Sequence, residues 1–364
     1  MIVVKIVFWA SLGALVWTHA AYPAFAVLLA RLVPRRVAKA AVEPTVTVII
    51  AAYNEESSIA QRIENLLSLD YPSEKVHIVV SSDASSDRTE EIARSYSGVE
   101  VISNPRGGKV AAQDRAVRQS ESEIVVFSDA NCTWAPDALR LLVRAFADPE
   151  VAYVCGQLKI LDADGNNKEG VYWRYEMIQR GAESRLGSVT GGNGSIYALR
   201  RSDYVEVDPR FGHDLSLPYL MVQHGRRAVY EPDAHAFEKP TPSNETEYRR
   251  KVRMFEHCWL IVLRGGMFRR LGVVYGLEIV SHRLLRYGSG ILHVLLLLSS
   301  VALISQGWVY DFVLAAQLVL LASALVGIGI ARYYVLVSLA TLVALANYVR
   351  RGVPATWQPE ASVR

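Results

Sequence analysis

The stretch EIVVFSDANCTW, residues 123–134, runs from four apolar residues, Ile124 to Phe127, straight into Ser128-Asp129-Ala130-Asn131. An apolar run without polar alternation reads as a strand covered on both faces. Asp and Asn are good turn residues, so taken alone this strand end is a turn. Upstream the same pattern recurs. Residues 45–51 (TVTVIIA) lead into AYNEES, and residues 76–80 lead into SSDASSDRT. Three strand ends carrying Asn54/Glu55, Asp83/Asp87 and Asp129/Asn131 gather on one rim if the strands share a parallel sheet. One acidic end is a turn; three on one rim form a site.

The segments between them support that sheet. Residues 57–69 set Ile59, Ile63, Leu66 and Leu67 on a helical stripe. Residues 89–96, 109–119 and 136–146 read as further helices, and 99–102 and 151–156 as strands. Strand and helix alternating with short connections predict an α/β, Rossmann-like domain with a mostly parallel sheet. Ligands of such sheets sit at the carboxyl ends of the strands, where strand order reverses.

The chain has 364 residues, 51% of them hydrophobic, and a formal net charge of only +3, so bulk charge does not point to nucleic acid. The apolar residues concentrate at the two ends. Residues 6–32 exceed the roughly 20 residues that a helix needs to cross a bilayer, and they lack an A-x-A cleavage pattern. They read as an anchor. Arg31, Arg35, Arg36 and Lys39 follow, which places the next segment in the cytoplasm. Residues 289–305, 309–330 and 333–349 are three more apolar stretches. One helix before and three after a cytoplasmic domain leave Arg350 and Arg351 outside, against the charge rule. Either that rule is broken or one of the three lies in the interface or re-enters. The expected order is an N-terminal helix (1–33), a catalytic domain (44–260), an interfacial amphipathic segment (261–287), C-terminal transmembrane helices (288–349) and a tail (350–364).

Cys132, Cys155 and Cys258 are too widely spaced for a CxxC metal pair and read as reduced, mostly buried thiols. The sequons at Asn193 and Asn244 matter only in a secreted chain. ILDADGNNK, 160–168, lacks the Glu that a calcium loop needs, since position 12 counted from Asp162 is Trp173, and reads as a hairpin turn.

Asp and Asn oxygens on the rim suit Mg²⁺ or Mn²⁺, which typically take one or two carboxylates plus substrate phosphates. NPRGGKVAAQ, 104–113, starts a helix with Gly107-Gly108-Lys109, where glycines, a helix amino terminus and an ammonium favour an anion. It is also compatible with a plain glycine turn. Asp214 precedes an amphipathic segment, 215–224, either as its N-cap or as a functional carboxylate. Arg249, Arg250, Lys251 and Arg253 form a basic helix face, solvated or against anionic lipid.

Together these residues resemble the family 2 glycosyltransferases, membrane-attached inverting enzymes of GT-A fold, over about residues 44 to 260. VIIAAYNEE is similar to the family's opening strand and nucleotide turn, which implies Ala52, Tyr53 and Glu55 at the base and ribose. VVSSDASSDRT implies Asp83 near the uracil and Asp87 as support of the turn. RGGKVAAQDRAV resembles R-G-G-K-x-x-A-L-N, with Gln113-Asp114 in place of Leu-Asn, and puts Lys109 among the donor-binding residues. FSDANCTWAPDAL resembles the DxD element, which implies Asp129 and Asn131 at a divalent cation and the diphosphate. GGNGSIYALRR is similar to the acceptor-side segment, with Gly192, Asn193 and Gly194, and Asp214 falls where the family places its catalytic base. YEPDAHAFE, RRKVRM and the tail ATWQPEASVR follow in the family's order.

Asn131 replaces the second Asp of the metal motif, and His213 replaces the first acid of an acidic pair. Where processive members carry Q-x-x-R-W, this chain has Arg250-Lys251-Val252-Arg253-Met254, which argues against processive synthesis and leaves Arg250 and Arg253 as diphosphate partners. The resemblance implies transfer from a nucleotide sugar, UDP-linked, to a polyprenyl-linked or polysaccharide acceptor, by an inner-membrane, multi-pass enzyme with a cytoplasmic catalytic domain. The other readings are a processive synthase and a silent nucleotide-binding membrane scaffold. Leu263 to Tyr287, apolar but studded with Arg264, Arg269, Arg270, Arg283 and Arg286, reads as an interfacial helix or as a cradle for a lipid diphosphate.

Overall fold

The computed structural model describes residues 1–161, 170–240 and 243–356. The calcium-like stretch beyond Leu161 and the tail from Trp357 onward lie outside the described residues. Eight strands are present among them: β1 Val46–Ala52, β2 Val76–Asp83, β3 Val99–Asn104, β4 Ile124–Ser128, β5 Thr133–Trp134, β6 Val151–Ile160, β7 Tyr197–Arg200 and β8 Arg227–Glu238. They make one sheet in the order β3-β2-β1-β4-β7-β6-β8-β5.

β1 runs parallel to both β2 and β4, with Ala52 opposite Ser82 and Ile50 opposite Ser128, so these three strands end level with one another. The chain winds from β1 outward through β2 to β3, then returns to add β4 on the other side. The switch of direction between β1 and β4 opens a crevice at the strand ends. Past β4 the sheet is mixed: β7 runs antiparallel to both β4 and β6, while β8 runs parallel to β6.

Both faces of the sheet are covered, which is why β4 shows no polar alternation. Val48, Ile50 and Val126 pack with Leu139 and Leu142 on one side. Ile49, Val79 and Phe127 pack with Tyr197, Leu217 and Met221 on the other. Cys132, Cys155 and Cys258 are free, buried thiols.

Among the described residues three helices are long and apolar enough to cross a membrane: Ile2–Leu32, Trp308–Leu325 and Gly329–Arg351. Val273–Tyr287 and Ser289–Ala302 qualify only as a pair, bent by 64°. Residues 261–287 are not one continuous helix. The helix Asn244–Arg264 ends at Gly265-Gly266, where Gly266 has φ +67°, and a new helix begins only at Val273. A π-helical turn at Trp17–Ala21 faces another at Ile279–Leu284. Across that contact Trp17 Nε1 donates to Ser281 Oγ at 2.8 Å, and Thr18 Oγ1 donates to the Ser281 carbonyl at 2.6 Å. The widened turns free backbone and side-chain groups, and here they satisfy one another.

Gly329–Arg351 packs along Asn244–Arg264. Trp259 Nε1 donates to the Thr341 carbonyl at 3.0 Å, and both Asn347 (2.7 Å) and Arg351 (2.9 Å) reach the buried Glu256. The chain then continues to Ala355, whose carbonyl lies directly against Gly108.

Candidate active site

The first two strand ends interlock. Asn54 turns the chain with φ 54°, and its Oδ1 accepts from the Ser86 amide at 2.7 Å. The Glu55 amide donates to Thr89 Oγ1 at 2.7 Å, and Glu55 Oε2 accepts from Ser58 Oγ at 2.9 Å. Asp87 accepts from the amides of Glu56 (3.1 Å) and Thr89 (3.0 Å), which fixes the turn as its place in the sequence implied.

Asp83, at the end of β2, accepts from the Gly107 amide at 2.6 Å, from the Gly108 amide at 2.9 Å and from Arg106. A carboxylate that accepts several N–H groups is a strong anchor. Asp83 therefore shapes the glycine turn that launches the helix Lys109–Gln119. Arg106 lies between this carboxylate and the Tyr53 ring, 3.4 Å from its centroid. Tyr53, Asp83 and Arg106 thus line one end of the crevice, and Ala52 closes β1 just behind Tyr53.

At the other end Asp129 follows β4. One carboxylate oxygen pairs with Lys109 Nζ, and the other accepts from Ser195 Oγ at 3.1 Å. Ser195 Oγ also contacts Glu238 Oε1, at the end of β8. A hydroxyl carries one hydrogen, so it can donate to only one of the two carboxylates. Burial and the charge of Asp129 push the Glu238 carboxyl above its ordinary range, against Ser195, Arg250 and Lys109. Burial opposes the charge on Lys109, but Asp129, Asp214 and Glu238 outweigh it and hold its pKa above the ordinary lysine value. Arg250 pairs with Glu247 at 2.9 Å and stays within electrostatic reach of Glu238; Arg253 is partly exposed on the same helix.

The loop before β7 carries the expected acceptor-side residues. Asn193 faces inward: its Nδ2 donates to the Gly156 carbonyl at 2.6 Å, and its Oδ1 accepts from the amides of Ser195 (3.2 Å) and Ile196 (3.0 Å). Gly194 lies against the ion pair, since a Cβ there would stand 3.3 Å from Lys109 Nζ and 3.6 Å from Asp129 Oδ2. The Gly192 amide donates to the Asp214 carbonyl at 2.6 Å. A Cβ on Gly192 would overlap the Tyr153 hydroxyl.

Asp214 is not an N-cap. The helix His213–Gln223 is capped by Gly212 without a side-chain bond, and Asp214 sits inside its first turn, where the helix dipole favours its charge. Its carboxylate is partly exposed and accepts no hydrogen bond among the described residues. His213 points the other way. Its Nδ1 meets Tyr197 Oη at 2.9 Å, and it packs edge-on to Phe127, Tyr197 and Tyr204. Burial, with the Lys109 charge, lowers its pKa to about 3, so the residue in the first acidic place is a neutral wall.

The crevice thus offers hard oxygens in excess of donors at Asp129, Ser195 and Glu238, which suits a magnesium- or manganese-type cation completed by phosphate oxygens. Among the described residues no group of three His, Cys, Asp or Glu side chains could hold an ion unaided. Asn131 is exposed in the turn after Asp129, and the hydrogen bonds of the cluster do not include it. Glu238 was missed by the sequence reading; only its place in YEPDAHAFE signalled it.

A β1/β4 switch point with a Lys109-paired carboxylate at the strand ends, and a second carboxylate within electrostatic reach that accepts no hydrogen bond among the described residues, is the arrangement of a GT-A-type domain. Residues 47–207 match the model of "Glycosyl transferase family 2". An N-acetylglucosaminyltransferase of Rhizobium meliloti (strain 1021) is 31% identical over 220 residues, covering 52% of this chain and 50% of the relative. A beta-monoglucosyldiacylglycerol synthase of Synechocystis sp. is 30% identical over 167 residues, covering 42% of this chain and 33% of the relative. The chain thus spans half or less of the length of these curated relatives. The mannosyltransferase PcManGT from Pyrobaculum calidifontis, solved in complex with GDP-Man and Mn²⁺, superposes with a TM-score of 0.73 at 22% identity. That match covers 95% of this chain and 98% of the other, and it establishes the shared fold.

Proposed function

We propose that the protein is a membrane-bound inverting glycosyltransferase that moves one sugar from a nucleotide sugar, UDP-linked, to a lipid-linked or polysaccharide acceptor. The observation that carries this reading is the Asp214 carboxylate, which accepts no hydrogen bond among the described residues and lies within electrostatic reach of the Lys109–Asp129 pair at the strand ends. The base and ribose lie by Ala52, Tyr53, Glu55 and Asp83, and the diphosphate lies by Lys109 and Asp129, with Arg250 and Arg253 nearby. Asp129 and Glu238, with Asn131 in the adjoining turn, are the side chains available to a Mg²⁺ or Mn²⁺ ion. When bound, that ion neutralises charge on the departing diphosphate.

A sugar hydroxyl is a weak nucleophile at neutral pH. Asp214 Oδ takes its proton as the oxygen attacks the anomeric carbon from the face opposite the diphosphate, so an α-linked donor gives a β-linked product. General-base help of this kind is worth typically ~10²–10⁴-fold. Gly192, Asn193 and Gly194 form the acceptor side, and the Gly192–Asp214 backbone bond keeps that loop in register with the base.

The domain lies on the cytoplasmic side. Leu215, the neighbour of Asp214, packs in one cluster with Cys258, Tyr275 and Tyr287, which supports an acceptor anchored in lipid. The reading also bears on the helix count. Arg351 pairs with Glu256 and Ala355 meets Gly108, which supports Gly329–Arg351 lying along the domain instead of crossing. Arg350 and Arg351 then stay on the cytoplasmic side, as the charge rule asks.

The test is nucleotide release by purified protein in detergent with native lipid extract, over a panel of UDP- and GDP-sugars. Release that needs one donor, a divalent ion and Asp214 is expected. Asp214→Asn should lose turnover and keep nucleotide binding; full activity in that variant would remove Asp214 as the base.

A further inference from the structure

We propose that Lys109 is the resident counter-ion of the donor site. Its ammonium, paired with Asp129, holds the place that a divalent cation takes with a nucleotide diphosphate, and Glu238 is an oxygen ligand of that cation. The inference rests on the donor reading above.

The geometry is a chain of contacts that runs from Lys109 to Asp129, then through the Ser195 hydroxyl to Glu238. Lys109 Nζ pairs with one oxygen of Asp129, and the charges of Asp214 and Glu238 act on it as well. Glu238 comes from β8 and Asp129 from the end of β4, and the Ser195 hydroxyl stands between them. That hydroxyl can satisfy one carboxylate with its hydrogen and leaves the other facing a lone pair. A cation relieves this surplus of acceptors, and the ammonium of Lys109 is the only one paired there among the described residues.

Lysine suits the part. An ammonium is a point charge on a flexible four-carbon stem, so it can leave Asp129 without breaking a two-pronged bond, as an arginine would have to. Lys109 also opens its helix directly after the two glycines, so a displaced Nζ stays at the helix amino terminus where phosphate is favoured. Gly194 presses on the pair from the acceptor-side loop, and a side chain there would crowd Nζ and Asp129 Oδ2. A divalent ion arriving alone must therefore evict the ammonium and leave it without a carboxylate. An ion arriving with a diphosphate gives Lys109 a new partner. Metal and nucleotide should bind with strong mutual help.

The experiment is a Mn²⁺ titration of the full-length protein in detergent, followed by the EPR signal of free Mn²⁺, with and without UDP. For the parent protein, UDP should tighten Mn²⁺ binding at least tenfold. Lys109→Gln should bind Mn²⁺ alone about tenfold tighter than the parent, with the help from UDP largely lost. Glu238→Gln should weaken Mn²⁺ about tenfold, with or without UDP. Lys109→Met and a melting curve with Mn²⁺ alone guard against misfolding: the lysine variants should be stabilised by the ion without nucleotide, whereas the parent should need both. Lys109 variants that bind Mn²⁺ no tighter than the parent would overturn the counter-ion role. Unchanged affinity in Glu238→Gln would remove Glu238 as a ligand. A parent protein whose Mn²⁺ binding ignores UDP would count against the donor reading, while the lysine variants without nucleotide still decide the counter-ion.

Discussion

Tyr22, in the apolar N-terminal helix, donates its phenolic hydrogen at 2.9 Å to Glu183 in the helix Val171–Leu186, which leads into the acceptor-side loop. The fully buried Glu183 carboxylate also accepts from Thr190 Oγ1 at 2.9 Å and pairs with His282 at 2.7 Å. One carboxylate therefore ties the first apolar helix, the domain and the helix after the domain. Tyr22→Phe keeps the ring and removes one donor from a buried charge, a loss of about 1–3 kcal/mol. The variant should melt earlier in detergent while its UDP affinity stays unchanged. Equal melting would show that water replaces the hydroxyl.

Asp114 gives a pH-dependent prediction. Burial pushes its carboxyl up to about 6, only partly offset by the bond from Tyr204 Oη. Below about 4 the group is protonated in both the folded and the unfolded chain. Between about 4 and 6 the folded chain binds the proton more tightly, so this group's contribution to stability falls as pH rises and its cost is complete above 6. Asp114→Asn keeps an acceptor for Tyr204, 2.6 Å away, without the charge. It should be about 1–3 kcal/mol more stable than the parent at pH 7.5 and nearly equal at pH 4. His213 titrates with the opposite slope, but it is common to both proteins and cancels in the difference. Melting curves at the two pH values check this; a pH-independent difference would contradict it.

Gly108 is held by two constraints at once. Its φ of +93° suits glycine, and a Cβ there would overlap the Ala355 carbonyl. Gly108→Ala must therefore both strain the turn that Asp83 anchors and push residues 353–356 away from it. With ψ 168° Gly108 lies in a region that essentially only glycine adopts, and it costs a residue with a Cβ about 1–3 kcal/mol before any displacement. UDP binding, measured by calorimetry, should weaken about tenfold. Gly98→Ala shares the positive φ but meets nothing within 4 Å, so it should cost stability and spare UDP.

These cases show what the sequence makes legible. The rim was readable because β1, β2 and β4 are apolar on both faces and break abruptly into polar turns, a pattern that depends on local residues alone. Asp129 and Lys109 were each legible as donor-site residues, and the fold adds their direct pairing. Glu238 could not, because it ends the alternating stretch AHAFE, where a Glu reads as a solvent-facing strand residue. Only the return of β8 beside β6 brings it to Ser195. His213 likewise looked like a lost acid, and its aromatic surroundings come from three separate segments. Gly329–Arg351 has the composition of a membrane span, but its contacts with Glu256 and Trp259 are non-local.

The orientation of the last two helices can be tested with single cysteines and a membrane-impermeant maleimide. Cys132, Cys155 and Cys258 are buried, so they should give little background in the folded protein. If Ile2–Leu32 enters the cytoplasm at its Arg-rich end, the bent pair Val273–Tyr287 and Ser289–Ala302 leads back out. Leu303 packs with Phe8 near the start of the first helix, which agrees with that direction. Gln306 in the following turn is then external, and Trp308–Leu325 returns inward. Gly329–Arg351, held to Glu256 by Asn347 and Arg351, stays inside. Gln306→Cys should label in intact cells, and Arg350→Cys should label only after permeabilisation. Labelling of position 350 in intact cells would make the last helix a true span, set the charge rule aside and detach Ala355 from Gly108.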